Sequence, residues 1–163
     1  MLREISAGGV VVRPTTAGWE LAVIEPQKEP SKVTTDKKRA HKPVLALPKG
    51  LVNRGEKAEE TALREVQEET GISSSVVAKI TDIKYMYSRT WSDNQRVFKI
   101  VSFFLLLYQS GTIDELSPEM RIEVKRALWI PLEGAAARLT YRGEREVSRL
   151  AVAYLQSHGP ASP

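Results

Sequence analysis

Residues 50–72 read GLVNRGEKAEETALREVQEETGI, and this stretch decides the fold. Gly50, Asn53 and Gly55 mark a loop, and the residues after it predict a helix over 56–70. Gly71 supplies the stop signal just past its end. Glu65, Glu68 and Glu69 stand at i, i+3 and i+4. At about 100° per residue they fall within an arc of about 100° on one helix face. Like charges that close repel, so the face must lie in water or meet cations in a cleft. Leu63 and Val66 lie beside the arc, toward the core. Ala58 and Ala62 lie at its edge, where small side chains let the glycine loop come close. Arg64 precedes Glu68 by four residues, the spacing of an ion pair that orients a carboxylate. By spacing alone, a glutamate-rich helix face is usually solvated surface. The glycines, Glu56 and Arg64 around it point to chemistry instead.

Working outward, strands are expected at 5–13 and 19–24, with Gly8-Gly9 inside the first. Glycine in a strand signals a bulge or a close backbone approach. A short buried strand is expected at 44–47, broken by Pro48-Lys49-Gly50. Strands are also expected at 76–88, 96–108 and 124–130, the second apolar enough to be central and buried on both faces. A polar turn covers 89–95 and a loop covers 109–118. A short helix is expected at 132–139 and a C-terminal helix at 144–156, where Val147, Leu150, Ala151 and Tyr154 repeat at helical spacing. The pattern is α/β, a mixed sheet with helices on its faces.

The chain has 163 residues, of which 42% are hydrophobic and 27% charged, so one domain is expected over 1–157 with a flexible tail at 158–163. Collagen-like, coiled-coil and wholly disordered chains are excluded. No apolar run is long enough to span a membrane, and the apolar stretch at 7–12 is too short for a signal peptide. The chain has no cysteine, which removes disulfides, thiolate zinc sites and cysteine nucleophiles and agrees with a reducing cytoplasm. The two histidines are His41 and His158, the latter in a Gly/Pro/Ser tail, so metal ligands here must be carboxylates. The net charge of +4 comes wholly from residues 26–43, a basic insertion loop in which six cations face two anions. With the rest of the chain neutral, a nucleic-acid face is not expected, although that loop suits polyphosphate or RNA.

The 50–72 segment resembles the Nudix box, in which a glycine, a glutamate, Arg-Glu-aliphatic, Glu-Glu and Gly-aliphatic recur at fixed spacing. Those positions are Gly50, Glu56, Arg64, Glu65, Val66, Glu68, Glu69, Gly71 and Ile72, and none departs from the pattern. Leu47-Pro48-Lys49-Gly50 and Trp129-Ile130-Pro131-Leu132 also look like the family. The resemblance implies a Nudix α/β/α sandwich with a loop-helix-loop catalytic motif. It implies a hydrolase of nucleoside diphosphates linked to another group, dependent on Mg²⁺ with Mn²⁺ as a substitute. Carried over, Glu65, Glu68 and Glu69 are metal ligands, and the backbone at Lys49 and Gly50 adds to them. Arg64 and Glu56 orient the carboxylates. Hard oxygen donors suit Mg²⁺, which keeps waters and bridges phosphate oxygens. Glu123, six residues before Trp129, is the candidate general base outside the box, with Glu119 its competitor.

Three features bear on the substrate. Leu-Pro-Lys-Gly at 47–50 resembles the segment that leads into the box of dinucleoside polyphosphate and diphosphoinositol hydrolases, and Lys49 is suited to a phosphate. Tyr87, sixteen residues after Gly71, resembles a base-stacking tyrosine of diadenosine polyphosphate hydrolases, and Tyr85 shares its face. Lys99 sits in an apolar strand, where a cation must be paired or reach a cleft. Arg3, Arg89 and Arg96 are further cations of unassigned role. The expectation is hydrolysis of diadenosine tetraphosphate or a related dinucleoside polyphosphate. The rivals are a MutT-type NTP pyrophosphohydrolase, including one acting on oxidised dGTP, an RNA 5′ pyrophosphohydrolase, and a non-catalytic nucleotide sensor. A monomer or homodimer is expected.

Overall fold

A computed structural model describes residues 2–27, 43–90 and 92–158. Two long strands form its centre. β1 (Leu2–Thr15) and β5 (Arg96–Ser110) run parallel, from Leu2 opposite Val97 to Val12 opposite Leu107. β1 is rich in β-branched residues and β5 in β-branched and aromatic ones, and Val101 through Leu106 are buried without a break. β2 (Gly18–Pro26) returns beside β1, β3 (Lys49–Leu51) pairs with its first half, and β4 (Ser73–Ser88) pairs with β5. With β6 (Val124–Pro131), the main order is β4-β5-β1-β2-β6, with β3 off that path on β1.

Alternation along β1 distributes the helices. Val11 and Ala7 face α1 (Ala58–Thr70), which buries Ala62 and Val66 against them, Ala22, Phe104 and Leu106. Val10 and Val12 face the other way, onto a core that holds Val147 and Ala151 of the last helix. That helix, α3 (Arg142–His158), follows the single turn α2 (Ala135–Arg138). The result is the expected α/β/α sandwich. Among the described residues, no helix is long and apolar enough to cross a membrane.

Gly8 and Gly9 mark a close approach. A Cβ at Gly8 would stand 2.5 Å from the Pro48 carbonyl oxygen and 2.7 Å from Lys49 Cβ. One at Gly9 would stand 2.8 Å from Val66 of α1. The two glycines thus let the 47–49 strap and α1 settle on the sheet.

Several expected boundaries move. The 44–47 strand reduces to Ala46, which exchanges two hydrogen bonds with Ile24 at 2.8 and 2.9 Å. Proline lacks an N–H, so Pro48 ends that pairing, and the chain pairs again only at β3, where a break was expected. Helix α1 starts at Ala58, not Glu56, because the Glu56 side chain holds the loop: it accepts from Asn53 N–H at 3.1 Å and Thr61 Oγ1 at 2.6 Å. β4 starts at Ser73 as an edge strand, β5 runs to Ser110, and a 3₁₀ turn forms at Met120–Ile122. The helix expected at 132–139 shortens to α2. Helix α3 continues to His158, whose ring stacks on Tyr154 at 4.4 Å, so His158 belongs to the helix and not to a frayed tail. Most of the basic 26–43 loop (28–42) and the tail from 159 lie outside the described residues.

Candidate active site

The three carboxylates of α1 do not share one environment. Glu68 is 43% exposed, Glu65 12%, and Glu69 is buried. Arg64 links the outer pair to the loop. Its Nε and Nη2 donate to the two oxygens of Glu56 at 2.8 and 2.9 Å. Nη1 donates to Glu65 at 2.8 Å and to Glu68 at 3.2 Å, and Nη2 also reaches the Leu51 carbonyl at 3.1 Å. A planar guanidinium serves this many partners because its donors form a rigid fork. The Arg64 and Thr61 hydrogen bonds hold the Glu56 carboxyl down at about 2.

Glu69 points away from Arg64, into the sheet. Its Oε1 accepts from the Lys49 backbone N–H at 3.0 Å. Burial, with the charges of Glu65 and Glu123, pushes its carboxyl up to about 8 against that hydrogen bond and the Lys49 charge. Burial also raises Glu65, against the pull of Arg64, and Glu68 and Glu123 add to it. Two carboxyls raised by burial and by neighbouring carboxylates form a donor set short of positive charge. Among the described residues, no three His, Cys, Asp or Glu side chains form a ready-made metal cage. Mg²⁺ does not need one: it binds through one or two carboxylates, with waters and phosphate oxygens completing its shell. Glu65 and Glu69, beside the Lys49 and Gly50 backbone, fit that description.

Gly50 is fixed by the Glu65 carboxylate, which any Cβ there would strike. Gly50→Ala is therefore expected to displace Glu65 and lower kcat by about a hundredfold. Steady-state kinetics beside a melting curve checks this, since the chain at β3 is half exposed and stability should change little.

Glu123 follows the 3₁₀ turn, with its N–H on the Met120 carbonyl and its own carbonyl accepting from Gln27 N–H at 2.9 Å. It lines a cavity of about 240 Å³ with Gly50, Glu69, Lys49, Lys99 and Tyr141. Glu119 does not line it. Lys99 lies 3.8 Å from Glu4, and burial lowers its pKa. Tyr87 is tied to the first strand. Its hydroxyl donates to Glu4 at 2.6 Å, burial and then that bond push it up to about 12, and it lines neither this cavity nor the larger one beside it. Arg3, Arg89 and Arg96 line neither cavity, and Arg89 pairs with Asp93 at 2.6 Å.

The larger cavity, about 860 Å³, opens between β4, β5 and α3. Tyr85, Tyr141, Lys84, Arg142 and Glu144 are among its lining, and Lys49 and Tyr141 line both cavities. Lys49 Nζ pairs with Glu144 at 2.8 Å and lies 5.8 Å from the Tyr141 ring centroid. The structure thus brings Glu69, Glu123, Lys49, Gly50, Lys99 and Tyr85 to two adjoining cavities, sets Glu65 behind Gly50, and leaves Tyr87 outside both. Sequence reasoning missed Tyr141, Arg142 and Glu144. All three sit at the start of α3, and no local pattern marks them.

A comparison with known proteins agrees with this architecture. The NUDIX domain profile matches residues 15–151. The "Putative mutator protein MutT4" of Mycobacterium tuberculosis is 42% identical over 120 residues, which are 72% of this chain and 46% of that protein. The chain thus spans less than half of that relative's length. A Caenorhabditis elegans Ap4A hydrolase binary complex superposes with a TM-score of 0.67 at 21% identity, covering 94% of this chain and 98% of that one. A MutT NUDIX hydrolase from Burkholderia pseudomallei gives 0.64 at 16% identity, covering 92% and 98%. Those two likenesses concern the fold; the profile match, over most of the chain, carries the assignment: this chain belongs to the Nudix family.

Proposed function

We propose that this chain is a Nudix pyrophosphohydrolase that cleaves a phosphoanhydride in a nucleoside diphosphate linked to another group. One observation carries the reading. Glu69 and Glu123 line one cavity, the charge of Glu65 acts on Glu69 from behind Gly50, and the adjoining larger cavity offers cations and tyrosines. Glu65 and Glu69 would hold Mg²⁺, with Mn²⁺ as a substitute, beside the Lys49 and Gly50 backbone, and Glu68 would be the outer member of the set. When bound, the cation neutralises phosphate charge and eases ionisation of water. Arg64 and Glu56 fix the angle of α1 against its loop. Glu123 accepts the proton of the attacking water. The new P–O bond forms as the bridging P–O bond breaks, and the released phosphate carries away the electron pair. Lys49 and Lys99 face the phosphates, and Tyr85 and Tyr141 flank a base.

The substrate we favour is diadenosine tetraphosphate or a related dinucleoside polyphosphate, yielding two mononucleotides. The support is the size of the larger cavity, its continuity through Lys49 and Tyr141 with the cavity that Glu69 and Glu123 line, and a fold shared with the worm Ap4A hydrolase. The second reading is a MutT-type NTP pyrophosphohydrolase, supported by the 42% identity to the mycobacterial mutator protein. A soluble nucleotide in a reducing cytoplasm suits a chain without cysteine.

Product chromatography with Mg²⁺ separates them. Diadenosine tetraphosphate, NTPs with oxidised dGTP, and triphosphorylated RNA form the panel. ATP plus AMP from the dinucleotide supports the first reading. Pyrophosphate from an NTP supports the second. Nucleotide binding without turnover overturns both in favour of a sensor.

A further inference from the structure

Glu144 stands in the first turn of α3 and is 4% exposed. A carboxylate is costly to bury unless its oxygens are satisfied. Here Oε1 accepts from the Leu47 backbone N–H at 2.7 Å, and Oε2 accepts from Lys49 Nζ at 2.8 Å. The strap between those contacts also meets the region before α3 at Leu45, whose N–H donates to Thr140 Oγ1 at 3.0 Å. At its far end the Lys49 N–H donates to Glu69 Oε1 at 3.0 Å. A relay thus runs from α3 through residues 47–49 to the buried carboxylate of α1, although these parts are far apart in sequence.

A stability role alone does not need a charge here, since apolar side chains pack such a place as well or better. What the carboxylate adds is direction. It sets where the Leu47 N–H points, and so where the Lys49 N–H points two residues on. We propose that Glu144 is a positioning residue for the carboxylate site: it holds the 47–49 strap so that the Lys49 amide orients Glu69. The inference rests on the reading of Glu65 and Glu69 as cation ligands, and it adds a residue outside the box to their support. It also explains the position of the Lys49 ammonium at the junction of the two cavities, because the same carboxylate holds both groups.

The test is Mn²⁺ binding to nucleotide-free protein, read from the free-ion EPR signal, with melting curves beside it. Removing a group that orients a metal ligand typically costs 10–100-fold in affinity, so Glu144→Ala should weaken Mn²⁺ binding by about tenfold. In Glu144→Gln the amide oxygen still accepts from Leu47 N–H, while the negative charge that pairs with the Lys49 ammonium is lost. Its Mn²⁺ affinity should therefore stay within about threefold of wild type, a rescue that a general packing role would not give. Should Glu144→Ala fail to fold, Glu144→Asp takes its place, because a side chain one methylene shorter cannot span both contacts. The same weakening of about tenfold is expected of it. Glu144→Ala (or Asp) that folds and binds Mn²⁺ like wild type overturns the proposal. So does a Gln variant as weak as Ala, which would put the effect on the ammonium instead of the strap. Wild-type protein that binds no Mn²⁺ overturns the cation reading itself and this inference with it, which keeps the two failures distinct.

Discussion

Glu69→Gln is expected to abolish turnover and to make the metal-free protein more stable. Glu69 is 8% exposed, and burial first, then the charges of Glu65 and Glu123, raise its carboxyl from an ordinary 4.5 to about 8. Below pH 4.5 the group is protonated in both the folded and the unfolded chain and changes nothing. Between 4.5 and about 8 the unfolded chain ionises while the folded chain keeps its proton, so the unfolded state gains. The folded state binds more protons, and metal-free stability falls as pH rises through that window. Above it the loss is complete, up to about 5 kcal/mol at 1.36 kcal/mol per unit. An amide has no charge to bury and can still accept the Lys49 hydrogen bond. In EDTA at about pH 9, the melting temperature of Glu69→Gln should exceed wild type by at least about 5 °C, with no gain at about pH 4. Mg²⁺ favours the ionised carboxylate, so it should raise the wild-type melting temperature more at high pH than at low, and the variant little at either. Turnover should drop by about a thousandfold or more, because the cation and its charge stabilisation go together. Unchanged metal-free stability at high pH would mean that Glu69 is better solvated than its burial implies.

That opposition between stability and function was only partly legible in the sequence. The spacing of Glu65, Glu68 and Glu69 puts three like charges on one helical arc, and helical geometry is local enough to read from residue numbers. The stop at Gly71, which adopts φ 86°, is equally local. Which carboxylate is buried is not local. It follows from how far the 47–49 strap presses on Gly8, and that depends on the sheet. The same divide separates the two tyrosines of β4. Sequence placed Tyr85 and Tyr87 on one face, correctly, since their rings lie 6.3 Å apart. Only strand register shows the difference between them. Tyr85 pairs with Lys99, which pairs with Glu4, and Tyr87 reaches across that row to donate to Glu4. Tyr85 is left facing the larger cavity.

Glu144 marks the limit of sequence reasoning more sharply. It is 95 residues from Lys49, within a helix whose apolar spacing says only that one face packs on the core. No period or motif tells a carboxylate in that first turn from the solvated glutamates elsewhere on the chain. The box was legible because its residues act over one loop and one helix. The walls of the cleft were not, because β4, β5 and α3 meet there only after the sheet has assembled.

Arg64→Lys keeps the charge and is expected to fail nonetheless. Arg64 makes two parallel bonds to Glu56, at 2.8 and 2.9 Å, while Nη1 holds Glu65 at 2.8 Å and Glu68 at 3.2 Å. A lysine ammonium is a single point on a flexible stem, so it can follow the loop glutamate or the helix glutamates but cannot fork between them. Glu56 and Glu65 are 16% and 12% exposed, too enclosed for water to replace the lost partner freely. Leaving partly enclosed charges short of a partner should lower the melting temperature by roughly 5 °C. The catalytic loss should be larger, because a carboxylate displaced by about an ångström from its working position costs on the order of a hundredfold in rate. Glu56→Gln separates the two effects. It weakens the same fork on the loop side, yet leaves Nη1 on Glu65, so its melting temperature should fall with less loss of kcat than Arg64→Lys shows. A double-mutant cycle between the two positions should then reveal strong coupling in stability and weaker coupling in kcat. Arg64→Lys with near-wild-type kcat would mean that the Gly50 backbone alone holds Glu65 in place, and that the guanidinium serves only to staple the loop.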